Sequence, residues 1–346
     1  MECSLRIFLM GFGVVGQSFA RLIEERTTEL VRRFGLRPRL VAVADRSGVV
    51  MNPRGLETRR LLEVKAEKGS VMGYGEQAAA SSGVAEVLEG SDAEVLVEVT
   101  PTNIKTGQPG LNHIMTALKN RRHVITANKG PLALALPALL ELARFNHVFL
   151  RFSGTVGGGT PILNFAKKCL LNDRIIAVRG ILNGTTNYIL SRMTRERIGF
   201  AEALQAAQKA GYAEADPSMD VNGYDTATKL VIMANWVMDL KATLRDVNVT
   251  GIRNVTVRDV TDTFEKGQEV KLIASAEDRL IVEPQPVART DPICVSGVLN
   301  AVTFKSQHGG EQTVIGVGAG GKETANAILR DLIEIKQNLF PPQAEW

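Results

Sequence analysis

The sequence predicts an α/β protein: a Rossmann-type dinucleotide-binding domain joined to a second α+β domain. Three observations lead there. Residues 4 to 10, SLRIFLM, run directly into Gly11-Phe12-Gly13-Val14-Val15-Gly16 and then into a segment with apolar residues at helical spacing. Strand-like and helix-like patterns then alternate to about residue 150. From 268 to 316 they give way to short alternating runs separated by turn residues, the pattern of antiparallel strands.

Taken in order, QSFARLIEERTTELVRRF carries Phe19, Leu22, Ile23, Leu30 and Phe34 on one helical face. LVAVA, between Arg39 and Asp45, is a parallel strand buried on both faces and completes a βαβ unit. Residues 55 to 92 are polar and helical, with a Gly/Ser-rich patch at 69 to 83, and form periphery or a connection. AEVLVEVT (93 to 100) and HVITA (123 to 127) are strands flanking a helix around LNHIMTALKN. SGTVGGGTPIL is a glycine-rich loop, RIIAVRGILNG a strand, and TTNYILSRMTRE a helix. QEVKLIASA, RLIVEPQPVA, ICVSG, NAVTFKS and QTVIGV supply the antiparallel strands. The expected domains are 1–150, completed by 316–346, and 151–315.

The chain has 346 residues, 45% hydrophobic and 23% charged, enough for a full core and long for one domain. Its 41 Lys+Arg against 37 Asp+Glu include no basic run with interleaved aromatics, which argues against a nucleic-acid surface. Cys3, Cys169 and Cys294 are odd in number and lack Cys-x-x-Cys spacing, so neither a disulfide framework nor a zinc site is expected, and a reducing cytoplasm fits. The apolar stretch LALALPALLELARF contains Pro137, Glu141 and Arg144 and is too short to cross a bilayer.

Gly11, Gly13 and Gly16 follow a strand and open a helix, the setting in which a dinucleotide pyrophosphate meets a helix N-terminus; the alternative is a turn needed only for packing. Asp45 would meet a ribose 2′-hydroxyl and favour NAD, whereas Arg46 would pair with the 2′-phosphate of NADP, so the coenzyme preference stays open. Lys129 follows a strand at the end where open α/β sheets bind ligands; the plain alternative is a solvated charge. In GYAEADPSMDVNGYDTATKL (211 to 230), Glu214, Asp216 and Asp220 lie in a loop, while Asp225 and Lys229 stand at i, i+4 on a helix that is apolar nearly all round. A lysine buried on such a helix must be paired or line a cavity. The four histidines show no metal-ligand spacing.

GFGVVG, ANKGPLA (127 to 133), TVGGGTPI (155 to 162), ILNGTTNYIL (181 to 190), the run 211 to 230 and GVGAGG (316 to 321) together resemble the homoserine dehydrogenase family, in its order and over nearly the whole chain. The resemblance implies NAD(P)-dependent interconversion of L-homoserine and L-aspartate 4-semialdehyde, in the pathway to threonine and methionine. It implies Lys229 as proton donor, Lys129 assisting near coenzyme and substrate, and Asp225 and Glu214 holding the substrate with Asp220, Tyr212 and Thr185 nearby. Thr100 and Gly211 are placed with the coenzyme, while Gly318 would either touch the dinucleotide or serve a packing turn. A sodium ion is implied on the carbonyls of Val156, Gly158 and Thr160, with Ser153 standing at the family's glutamate position. A homodimer is expected, and a C-terminal regulatory domain is not. Two rivals remain: another NAD(P)-dependent amino-acid or semialdehyde oxidoreductase on this frame, and a nucleotide-sensing regulator that would tolerate loss of both lysines.

Overall fold

A computed structural model describes residues 3–75, 78–80 and 84–341; part of the Gly/Ser-rich patch lies outside them. The element order is β1 (Cys3–Met10), α1 (Val14–Phe34), β2 (Leu36–Asp45), β3 (Gly48–Met51), α2 (Thr58–Lys68), β4 (Ala78–Ala80), α3 (Val84–Gly90), β5 (Val95–Glu98), α4 (Gly110–Lys119), β6 (His123–Thr126), α5 (Lys129–Phe145) and β7 (Leu150–Arg151). There follow α6 (Ile162–Asn164), β8 (Ile175–Ile181), α7 (Gly184–Glu196), α8 (Phe200–Lys209), α9 (Ser218–Val221), α10 (Tyr224–Val237), β9 (Val247–Val249) and α11 (Val257–Glu265). The chain closes with β10 (Gln268–Ala276), β11 (Leu280–Ala288), β12 (Leu299–Ser306), β13 (Gly310–Val317) and α12 (Gly321–Leu339). Two compact units result, Met1–Thr155 with Gly320–Trp346 and Val156–Ala319, so the junctions fall after residues 150 and 315 rather than at them.

The first unit holds a seven-stranded sheet of order β4-β3-β2-β1-β5-β6-β7. Strands β2, β1, β5, β6 and β7 pair in parallel, and β3 and β4 add an antiparallel edge. The parallel strands are buried on both faces, as continuous apolar runs such as LVAVA require. Helix α1 buries Phe19, Ile23 and Leu30, and Gly35 ends it at φ +59°. Helix α12 contributes Ala325, Ile328, Leu329, Leu332 and Ile335 to the same core. Helix α5 bends at Ala135 (φ −144°), just ahead of Pro137, whose missing N–H and bulk break the helical ladder.

The second unit carries a six-stranded sheet of order β13-β12-β8-β10-β11-β9, antiparallel except for the β11–β9 pair. Ile181, Ile273, Val287, Ile293 and Ala301 form a core on it. ICVSG, expected as a strand, is instead a bonded turn: Asp291 Oδ1 accepts the Ile293 N–H and the Asp291 carbonyl accepts that of Cys294. Helix α10 is buried almost throughout, including Asp225 and Lys229.

Candidate functional site

Packing requires glycine at two of the three positions in the β1–α1 turn, and the third lies open. Gly11 has φ +105°, and a Cβ there would lie 2.6 Å from the Val99 carbonyl oxygen. A Cβ on Gly16 would lie 2.0 Å from the Gly11 carbonyl oxygen, so helix and strand meet only because it is absent. Around Gly13 there is open space, where a ligand can approach the backbone. Gly11 and Gly13 line a cavity of about 770 Å³ with Phe12, Val14, Val15, Asp45, Arg46, Ser47, Lys65, Thr100 and His113. The first turn of α1 has no side-chain cap, leaving its N–H groups to an anion. In the same unit, α12 starts beside Val14, 2.6 Å from a Cβ placed on Gly321.

Asp45 closes β2, but its oxygens serve the local fold. Oδ2 takes Lys65 Nζ at 2.6 Å and the Val71 N–H at 3.0 Å, and Oδ1 takes the Ser47 N–H at 2.8 Å. Burial opposes its ionisation, yet Lys65 and the two backbone donors outweigh burial and hold its pKa below the ordinary carboxylate value. Arg46 is exposed beside it. With Lys65 and Arg46 against Asp45, this edge of the cavity carries a net positive charge.

At the carboxyl ends of β5 and β6, a fully buried Glu98 ties two turns together. Its Oε1 accepts from the Thr100 N–H and, in a very short contact, from the Thr100 hydroxyl; its Oε2 accepts from Thr126 Oγ1 at 3.1 Å. Thr126 Oγ1 accepts the Asn128 N–H, Asn128 Nδ2 donates to Thr100 Oγ1, and Asn128 Oδ1 caps α5 through the Gly130 N–H. Lys129 therefore opens α5 from a turn fixed to Thr100, though it is outside the lining of the cavity.

In the second unit the buried helix pairs its own charges. Lys229 and Asp225 are 6% and 8% exposed, and Nζ stands 2.7 Å from Asp225 Oδ2. Nζ also donates to the Leu182 carbonyl at 2.7 Å. An ammonium has three N–H bonds, so one proton remains beyond these two contacts. Asn183 Nδ2 donates to Asp225 Oδ2 at 2.9 Å and to Asp220 Oδ1 at 2.7 Å, gathering both acids at the start of α7. Thr185 Oγ1 donates to the Tyr212 carbonyl, and the Tyr212 ring meets Tyr188 at 4.8 Å between centroids. Glu214 is exposed, its carbonyl accepting from Gln208. Asp216 Oδ1 accepts from the Ser218 N–H and hydroxyl and shapes the turn around Pro217.

Two family models match the chain: "Homoserine dehydrogenase, NAD binding domain" over residues 11–153 and "Homoserine dehydrogenase" over 161–333. The chain belongs to the homoserine dehydrogenase family. It is accordingly an NAD(P)-dependent oxidoreductase. It is 42% identical over 330 residues to a homoserine dehydrogenase of Methanocaldococcus jannaschii, covering 95% of this chain and 98% of that one. It is 38% identical to an NAD(+)-dependent homoserine dehydrogenase of Pseudomonas canavaninivorans, with 96% of each covered. Among solved structures, a hyperthermophilic archaeal homoserine dehydrogenase in complex with NADPH aligns at a TM-score of 0.84 and 27% identity, over 99% of this chain and 100% of that one.

The remaining homoserine dehydrogenase candidates lie as follows. Gly211, at φ +76°, turns the chain after α8. Gly318 has a packing reason to be glycine, since a Cβ there would meet the Asn300 side chain at 2.2 Å. Val156 is buried; Gly158, at φ +52°, packs on Gly318; and the Thr160 carbonyl accepts the Ile162 N–H while its hydroxyl donates to the Val317 carbonyl. Ser153 Oγ donates to the Ala327 carbonyl and accepts from Arg330, and the Ser153 N–H donates to Asp331 Oδ2. Among the described residues no group of three His, Cys, Asp or Glu is placed to hold a metal. No step below passes through a sodium ion. Sequence reasoning missed Asn183, Glu98, Asn128 and Lys65. Asn183 and Asn128 each left a local signal, an asparagine directly ahead of a helical pattern.

Proposed function

We propose that the chain interconverts L-homoserine and L-aspartate 4-semialdehyde with Lys229 as proton donor, in the pathway to threonine and methionine. The observation that carries this is the buried Lys229–Asp225 pair, held by Leu182 and Asn183 inside the run of sequence most specific to the family. When bound, the nicotinamide accepts or supplies the hydride. In the reductive direction negative charge grows on the aldehyde oxygen; the Lys229 ammonium stabilises it and then gives up its remaining proton to it. In the oxidative direction the neutral amine takes that proton back. The substrate carries an ammonium beside its carboxylate, and Asp225, Asp220 and Glu214 offer the negative charge that ammonium requires. Tyr212 and Thr185 shape the pocket, and Lys129 assists from its turn at the end of β6.

The coenzyme cavity supports NADP over NAD. Asp45 is already engaged by Lys65, Ser47 and Val71, and Arg46 supplies an uncommitted guanidinium for a 2′-phosphate. A homodimer is supported by the edge strand β13, where Ile315 and Val317 remain 48% and 42% exposed on the face that Ala301 and Ile181 bury further in. A cytoplasmic setting is supported by three free cysteines. Among the described residues, no helix is long and apolar enough to cross a membrane.

The test is coenzyme reduction with L-homoserine against a panel of related hydroxy and amino acids, using both coenzymes. Homoserine should be preferred. Preference for another acid would support the rival oxidoreductase, and coenzyme binding without any turnover would support a nucleotide-sensing role.

A further inference from the structure

The turn from β8 into α7 offers two consecutive groups to the α10 cluster. The Leu182 carbonyl accepts from Lys229, and the next side chain, Asn183, reaches both Asp220 and Asp225. Asn183 is 5% exposed, and its hydrogen-bonding capacity is spent in two directions. Its Oδ1 accepts the Thr186 N–H at 2.9 Å and caps α7, which fixes the amide orientation; its nitrogen therefore faces the two carboxylates. Asp225 Oδ2 receives Asn183 Nδ2 and Lys229 Nζ together, so the same amide sets the direction of the carboxylate on which the lysine rests.

Two carboxylates sharing one partner repel each other, and N–H donors favour their ionised forms. Asp220 sits on the four-residue helix α9 and Asp225 in the first turn of α10. The amide joins these separate elements. An aspartate at 183 would keep the helix cap but would place a third carboxylate oxygen against the other two.

We infer that Asn183 is the positioning residue of the substrate site: its amide holds Asp220 and Asp225 at one spacing for the substrate ammonium. This rests on the reading of the cluster as the homoserine pocket. Asn183 acts through the two acids; the proton passes at Lys229.

Two variants separate this role from helix capping, because serine and aspartate both retain a capping oxygen. Asn183→Ser should raise the KM for homoserine about tenfold or more, with kcat falling about threefold or less and the coenzyme dissociation constant unchanged. Asn183→Asp should move the acid limb of kcat/KM for homoserine upward by about one pH unit or more, since three neighbouring carboxylates do not all ionise easily. If both folded variants keep the wild-type KM and pH profile while wild type turns over homoserine, Asn183 is a helix cap and the inference is overturned alone. If wild type does not turn over homoserine, the reading of the pocket falls and takes this inference with it.

Discussion

At the scale of single residues, a lysine on the buried helix α10 must be paired or line a cavity, and Asp225 stands one turn away from Lys229. The pair is made, at 2.7 Å, and it is buried, so it is not a surface staple. Removing one member of a buried pair leaves the other uncompensated, at a cost of about 3–5 kcal/mol. Here Asn183 and Leu182 soften that cost by keeping a partner on each side. Asp225→Ala should raise the KM for homoserine by about 10- to 100-fold, the value of a lost charge-assisted hydrogen bond, with little change in coenzyme KM; an unchanged homoserine KM would make Asp225 a helix partner only. Arg46→Ala should raise the KM for NADP by a similar factor while that for NAD stays within about twofold. Equal effects on both coenzymes would contradict 2′-phosphate recognition. The glycines, Asp225 and Lys229 were legible because their spacing is local. Glu98 was not, nor was the reach of Asn183 beyond its helix cap, since their partners are 28 and 42 residues away in sequence for Thr126 and Asp225.

Among elements, α12 contains a group whose protonation bears on stability. Asp331 is fully buried; its Oδ2 accepts the Ser153 N–H, while Oδ1 has no hydrogen-bond partner among the described residues. Burial pushes its pKa up to about 6, against the opposing pull of Ser153 and Arg330 and with a further push from Glu334. A raised carboxyl pKa means that the folded state binds its proton more tightly than the unfolded chain. Its contribution is full at pH values below the unfolded pKa and is lost as pH rises through about 6. Wild type should therefore lose stability relative to Asp331→Asn between about pH 4 and about pH 7, by on the order of 1–3 kcal/mol, in thermal melts compared across pH. A difference independent of pH would mean that Asp331 keeps one protonation state. Long elements with clear periodicity, such as α1, β2 and β10, were readable from sequence. The edge strand β4 was hidden in a polar region because an edge needs little apolar sequence. ICVSG was misread because its apolar run follows Asp291-Pro292, whose carboxylate turns the backbone.

For the molecule as a whole, the two-domain plan was readable because period-3.6 and period-2 patterns give way to one another in sequence order. The junctions were less so, since Ser153–Thr155 continues the first unit as a short helical turn. Dimerisation through β13 predicts that Ile315→Lys with Val317→Lys yields monomer by light scattering, whereas an unchanged dimer would place the interface elsewhere. The central claim is that a lysine buried in α10 transfers the proton, and it is tested most directly by the turnover of Lys229→Ala with L-homoserine, alongside coenzyme affinity in the same folded sample. We expect kcat to fall by on the order of 10² or more, with the NADPH dissociation constant within about twofold of wild type. A kcat within about threefold of wild type would contradict the account and leave Lys229 a structural cation.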